Sequence, residues 1–338
     1  MSFQEDFLGT VTADRSELHK VQRTSSDVLQ QADALPFWSQ DYTQLDKGVF
    51  AGSVTSVSCR GVQLFRETMN RAVDQIASAP ADCYVIGLPT IVDSDSTWGL
   101  LPVRENSLIT LDKNAELLFR TSHLSEITVA VIAAKRLEEY AATVEWMDLD
   151  KVMDKVKPVE AVQPQMVERM QAAVGGGMDY FSTLDDSADI AQIWRHFEDD
   201  LMATCLQALS QVKDNRSSHN HDQRVHRYIV NRVRELTLSS YGYPLTIGEL
   251  CTTLRISRRT LNHAFARVLG VTPVAYMRNV RLHRVRAELQ SSPYQVTTIA
   301  NVASKWGFWH MSLFSRYYRE LFGECPNETL ERARTLSH

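Results

Sequence analysis

The C-terminal third of this chain carries one small device twice: Ile247–Phe265 and Ile299–Tyr318 each read as a short helix, a tight corner and a second helix. In the first, TIGELCTTLRISRRTLNHAF, the residues Ile247, Leu250, Cys251 and Leu254 fall at i, i+3, i+4 and i+7, the spacing of one buried helical stripe. Ser257 then breaks the stripe as an N-cap, accepting a hydrogen bond from an orphan amide of the next helix, whose buried face is marked by Leu261, Phe265 and Leu269. In the second, TIANVASKWGFWHMSLFSRYY, Ile299, Val302, Ala303 and Trp306 repeat the stripe, and Phe314 with Tyr318 anchors the following helix. Gly307 supplies the corner, because a left-handed backbone is low in energy only for glycine. Cys251 and Ala303 hold matching positions, and both are small enough for the crossing helices to approach closely.

Between the two devices lies TPVAYMRNVRLHRVRAELQ, with Val274, Met277, Leu282, Val285 and Leu289 along one side. A helix over Thr272–Gln290 would be about 28 Å long, close to one turn of B-DNA at ~34 Å. This spacing predicts one chain whose two wedges lie in two successive major grooves of double-stranded DNA. Charge agrees: Arg216–His338 has 18 Lys/Arg against 8 Asp/Glu, a net of +10, whereas Met1–Asn215 has 18 against 33, a net of −15. The whole-chain charge of −5 hides a basic C-terminal part, suited to phosphate contact. Off the Leu261/Phe265 face lie Arg258, Arg259, Asn262 and His263, and the matching places on the second device are His310, Met311, Ser312 and Arg316. Arg takes guanine O6/N7 bidentately and Asn does the same with adenine N6/N7; for each residue the alternative is a solvated helix face. Trp309 is expected to pack against the corner as core.

The string Ser257, Leu261, Phe265, Gly270, Pro273, Arg281-Leu282 and Leu289, continued by Ile299, Ala303, Gly307-Phe308, Phe314-Ser315-Arg316, Gly323 and Pro326, resembles the AraC/XylS family of bacterial transcription regulators. The resemblance covers roughly residues 220–335, and GFWHMSLFSRYYRELFG resembles the ethanolamine-operon and benzoate-pathway regulator branch more than the sugar-responsive one. It implicates Arg259, Asn262, His263, Ser312, Leu313 and Arg316 in base or phosphate contact, and a structural role for Arg281. Two positions depart from the pattern: Arg255 stands where the first corner often has Gly, and Val285 replaces a usual Ala. The resemblance also implies a cupin-like effector domain, opening near YTQLDKGVFAGSV, a small-molecule effector (an amine or a cobalamin-type compound), and contact with RNA polymerase.

The N-terminal two-thirds gives weaker signals. Met1–Gln30 is polar, with no apolar stretch of the 7–15 residues a signal peptide needs, and no run approaches the ~18 apolar residues of a membrane span, so a cytoplasmic chain without membrane contact is expected. Residues 31–145 read as β-rich, with short runs at Val49–Val57, Val62–Phe65, Cys83–Leu88, Leu108–Leu111, Leu117–Phe119 and Ile127–Val131, broken by Gly, Pro, Asp and Ser. Residues 146–215 read as a helical linker and dimerisation region: Gln163–Val174, a break at Gly175-Gly176-Gly177, then Ile190–Val212 with Ile193, Phe197, Leu201, Leu206 and Leu209 on one side. A homodimer would use that side. Arg216–Asp222 reads as the tether to the basic domain, 220–338.

Several chemistries find no support. The triple glycine lacks a following Lys-Ser/Thr and is no phosphate loop. His219 and His221 have metal-like spacing but no third ligand nearby, and the β-rich region before residue 150 has only His19 and His123, too few for the metal centre of an enzymatic cupin. Cys59, Cys83, Cys205, Cys251 and Cys325 are scattered, without a CxxC pair or a repair-methyltransferase setting. No catalytic residue, metal site or cofactor is assigned. The expectation is therefore an α+β chain: an N-terminal β-rich cupin-like domain, a helical linker, and a C-terminal all-α domain of two helix-turn-helix motifs joined by a long helix. Its expected role is effector-responsive activation of a neighbouring catabolic operon. A ligand-independent or partner-controlled regulator is the first alternative, and an enzyme with a DNA-binding tail the second.

Overall fold

SEITVAVIA, Ser125–Ala133, is apolar on both sides of the pleat, and the computed structural model buries both. The structure describes residues 18–93, 95–184, 190–212, 221–240, 243–291 and 298–336. The chain forms two units, Met1–Tyr42 with Ala51–Ser217, and Thr43–Phe50 with Ser218–His338.

In the first unit the described strands make two antiparallel sheets. The larger runs in the order β1 (His19–Ser25), β3 (Gly52–Cys59), β4 (Val62–Met69), β11 (Ser125–Ala133), β6 (Cys83–Ile91), β9 (Ser107–Leu111) and β12 (Val159–Ala161). The smaller runs β2 (Ser39–Gln44), β5 (Val73–Ser78), β10 (Glu116–Arg120), β7 (Thr97–Trp98) and β8 (Leu101–Pro102). Residues of opposite parity along β11 enter two different cores. Ile127, Val129 and Val131 join Val54, Phe65, Val85 and Ile109 against Ala77, Trp98, Leu117 and Phe119 of the smaller sheet. Ala130 and Ile132 join Val57, Leu64, Tyr84 and Ile86 against helices. A strand buried on both faces loses the two-residue alternation, which explains the continuous apolar runs.

The helices of this unit are α1 (Val28–Ala32), whose Gln31 reaches Glu67 on the face of β4 that carries Phe65, and, against the other face of the sheet, α2 (Ala134–Thr143), α3 (Leu149–Met153), α4 (Pro164–Met170), α5 (Gly177–Thr183) and α6 (Ile190–Ser210). The triple glycine does not break them. Gln171–Gly176 forms a π-helical turn that runs into α5, and a Cβ on Gly177 would lie 2.3 Å from Phe197 Cε2, so this glycine serves close helix approach. The expected interaction stripe on α6 is largely spent inside its own unit: Leu201, Leu206 and Leu209 are buried in the core, and Ile193 and Phe197 are only partly buried against it.

Glu198 on α6 is buried and ion-paired with Arg136 of α2. Desolvation pushes its carboxyl up to about 7, opposed by Arg136 and Arg60. A carboxyl that titrates higher in the folded than in the unfolded chain adds stability fully below the unfolded value, near pH 4.5, and loses it as pH rises through about 7. The first unit is expected to lose on the order of 3 kcal/mol from this group between pH 4.5 and 8. Glu198→Gln should flatten that dependence in urea unfolding; an unchanged slope would remove Glu198 as its source.

The second unit is helical: α7 (His221–Ser239), α8 (Ile247–Leu254), α9 (Arg258–Val268), α10 (Pro273–Ser291), α11 (Ile299–Lys305), α12 (Met311–Phe322) and α13 (Pro326–Leu336). The tether read into Arg216–Asp222 lies outside the described residues up to position 220, and α7 begins at His221. The joining helix α10 is buried nearly all round rather than along one stripe, with Asn279, His283 and Arg286 as enclosed as Leu282 and Val285. The reason is the segment Thr43–Phe50. Gln44 N–H donates to His283 Nε2 at 3.0 Å, and Asn279 Nδ2 donates to the Gln44 carbonyl at 3.1 Å. Gln44 Nε2 donates at 2.9 Å to the carbonyls of Asp46, Gly48 and Leu321. Lys47 pairs with Glu320 at 2.8 Å, and Val49 closes on Gly323, where a Cβ would lie 2.3 Å from Val49 Cγ2. No described helix is long and apolar enough to cross a membrane.

Candidate DNA-binding surface

Each motif is set by local chemistry. Thr246 and Glu249 form a capping box at α8: Glu249 N–H donates to Thr246 Oγ1 at 3.2 Å and Thr246 N–H donates to Glu249 Oε2 at 2.7 Å, which holds the Glu249 carboxyl below its ordinary range. The helix ends at Arg255 in the left-handed region, φ 53° and ψ 41°, so the departure from glycine is accommodated by a strained arginine. Ser257 caps α9 as the sequence indicates, accepting from Thr260 N–H at 3.0 Å. Leu261, Ala264, Phe265 and Val268 are buried, which turns Arg258, Arg259, Asn262 and His263 outward. His263 also meets the His226 ring of α7 edge-on at 5.0 Å.

The second motif repeats the plan with different side chains. Thr298 caps α11 through Asn301 N–H at 3.1 Å, and Gly307 makes the corner at φ +78°. Phe308, Phe314, Tyr318 and Phe322 join Leu282, Val285 and Leu289 of α10 in one core. His310, Ser312, Leu313 and Arg316 face solvent, whereas Met311 is half-buried against that core and is a weaker contact candidate. Trp309 is not core: it is 60% exposed, because Phe308 and Phe314 already fill the corner beneath it.

Three arginines of α10, Arg278, Arg281 and Arg286, are held in packing contacts. The Arg281 guanidinium lies 5.0 Å over the Phe308 ring and Nη1 reaches the Trp306 carbonyl at 3.5 Å, with burial bringing its ordinary value down to about 10. Arg286 pairs with Glu324 at 2.8 Å in a buried setting, and Arg278 stacks on Tyr317 at 4.3 Å. The second corner is braced again by Pro244, just before α8: a Cβ on Gly307 would meet Pro244 Cδ at 2.6 Å. Gly307→Ala therefore combines a left-handed alanine with a clash, and an expected loss of about 2–4 kcal/mol should appear in urea unfolding. A change below about 0.5 kcal/mol, the range of a neutral surface substitution, would mean that the corner relaxes freely.

Residues 250–332 match the family described as a helix-turn-helix domain. A solved structure, titled as that of a probable AraC family transcriptional regulator from Rhodopseudomonas palustris CGA009, is 36% identical over 31% of this chain and 97% of its own, with a TM-score of 0.30. Residues 250–332 carry a helix-turn-helix domain. The XylDLEGF operon transcriptional activator 2 of Pseudomonas putida is 36% identical over 86 residues, 25% of this chain and 55% of that protein. Regulatory protein HrpB of Ralstonia nicotianae is 30% identical over 110 residues, 32% of this chain and 22% of that protein. The chain thus spans between about a fifth and about half of the length of these two relatives. The helix-turn-helix domain presents Arg258, Arg259, Asn262 and His263 on one motif and His310, Ser312, Leu313 and Arg316 on the other.

Proposed function

We propose that the chain is a sequence-specific transcription regulator, an effector-responsive activator, whose AraC-type domain reads two successive major grooves. The observation that carries this reading is the pair of outward-facing helices, α9 and α12, each rooted in core shared with a buried connecting helix, on the basic part of the chain. Exposed Arg and Asn near a helix N-terminus supply bidentate donors to base edges, and basic charge supplies phosphate attraction.

The effector is assigned to the first unit, within residues 31–145. Support comes from a polar cluster sealed inside it: Glu67 is buried and accepts from Gln31 Nε2 at 3.0 Å, Tyr42 OH at 3.1 Å and Gln75 Nε2 at 3.4 Å. Desolvation raises the Glu67 carboxyl above its ordinary range, and Gln31 Oε1 is buried without a hydrogen-bond partner among the described residues. Such groups suit recognition of a small polar molecule. Tyr42 is followed in the chain by Thr43–Phe50, the segment that belongs to the helical unit, so a change at Tyr42 has a covalent route to α10. Helices of 146–215 are assigned to homodimerisation, with half-buried Ile193 and Phe197 and exposed Tyr180 as the residues left for a partner. RNA polymerase is the partner assigned to the DNA-bound form.

Binding of the full chain to a pool of random duplexes tests the reading. Rounds of selection should enrich sequences with two blocks centred about 10 base pairs apart. A pool that emerges without any enriched sequence would refute specific recognition.

A further inference from the structure

Two aromatic side chains stand out on the described surface of the AraC-type domain beside the second motif. Tyr243 is 82% exposed and Trp309 is 60% exposed. They come from different places in the sequence and meet edge-on, with ring centroids 6.3 Å apart. Neither is there by accident of a loose loop. Trp309 lies between Phe308, buried in the motif's core, and His310, which precedes the first residue of α12. Tyr243 is followed by Pro244, which is seated on the left-handed Gly307 so closely that no side chain fits between them. The two rings therefore form a ledge fixed at both roots, and Trp309 stands three residues before the outward-facing Ser312 in the chain.

A fixed aromatic ledge in water exposes apolar area that a partner can cover at low entropic cost, which is why Trp and Tyr recur as binding anchors. The partner's chemistry is set by the surroundings. The Arg216–His338 stretch carries a net charge of +10, Arg281 Nη1 lies 3.2 Å from the Cβ position of Gly307, on which Pro244 is seated, and Trp309 immediately precedes His310, the N-cap of α12. A partner that presents negative charge beside apolar ring and methyl surface fits this: the deoxyribose and thymine-methyl surface of duplex DNA between its phosphates.

We propose that Tyr243 and Trp309 pack on the sugar and thymine-methyl surface of DNA at the edge of the half-site read by α12. This rests on the DNA-binding reading above and adds an apolar contact to its polar ones. A purely apolar contact releases no counterions, so its removal lowers affinity by the same factor at every salt concentration, whereas loss of a phosphate contact also lowers the salt slope.

The test is a titration of the full chain with a selected duplex at several salt concentrations, comparing wild type, Trp309→Ala, Trp309→Phe, Tyr243→Ala and Arg316→Ala. Trp309→Ala and Tyr243→Ala should each weaken binding about tenfold with an unchanged salt slope. Trp309→Phe should recover most of the loss, and DNA should quench wild-type tryptophan fluorescence more than that of Trp309→Ala. Wild-type affinity in both alanine variants while Arg316→Ala binds weakly would overturn the ledge and leave the DNA reading intact. A wild-type chain that binds no duplex would overturn both. A salt slope altered by Trp309→Ala would overturn the apolar contact in favour of a displaced helix.

Discussion

Replacing Gln44 by alanine is expected to destabilise the helical unit by about 2–4 kcal/mol, far more than a typical change so distant in sequence from the helices it serves. The Gln44 amide is buried and donates to three carbonyls, those of Asp46, Gly48 and Leu321, each at 2.9 Å. Alanine keeps the two main-chain bonds to His283 and Asn279 but withdraws the side-chain NH2, whose two N–H donors the three carbonyls share, from an environment with little access for water. The effect should be local: amides of α10 and α12 should exchange faster, while those of the seven-stranded sheet keep their protection. Hydrogen exchange on the full-length variant measures both at once. Unchanged exchange in α10 would mean that Thr43–Phe50 contributes nothing to the unit with which it is grouped.

The other large effect expected is on DNA. Arg259 and Arg316 are exposed on α9 and α12 respectively. Arg316 is oriented without being consumed: it lies 5.0 Å over the Tyr317 ring and 3.8 Å from Glu320. An arginine that takes guanine bidentately contributes about 1–3 kcal/mol of discrimination. Because the two sit on separate motifs, their losses should add, and the double alanine variant should bind its selected site about 10²–10⁴-fold more weakly. Binding to random duplex should fall much less if these side chains read bases. Equal loss on both kinds of DNA, with a salt slope reduced by about one for each arginine, would reassign them to phosphates.

What the sequence discloses is governed by how local the determining interaction is. Ser257, Gly307 and the Leu261/Phe265 stripe act within one turn of helix, and their roles can be read from the residues alone. Trp309 could not be placed that way, since its exposure follows from Phe308 and Phe314 occupying the corner first. The triple glycine suggests a break, but packing against Phe197, residues away on α6, gives Gly177 a place inside a continuous π-to-α run. Strand β1 (HKVQRTS) is mostly exposed and polar, and it is a strand because β3 offers it an edge with a full register from His19↔Ser58 to Ser25↔Gly52. Strand β5 (VDQIAS) hides for the opposite reason: Asp74 and Gln75 are polar yet buried, so hydrophobic alternation fails. The segment Thr43–Phe50 was the least legible element. Its value to the helical unit lies in Gln44, and a glutamine in a polar stretch carries no signal of burial until its three carbonyl partners are in place.

The proposed function requires one chain to hold two reading heads a duplex turn apart. Footprinting with hydroxyl radicals on a selected site tests it most directly, combined with insertion of five base pairs between the two blocks. Two protected stretches about 10 base pairs apart on the same face of the duplex are expected, and the insertion should leave only one of them protected. A single protected stretch on the original site, or full protection that survives the half-turn insertion, would contradict it.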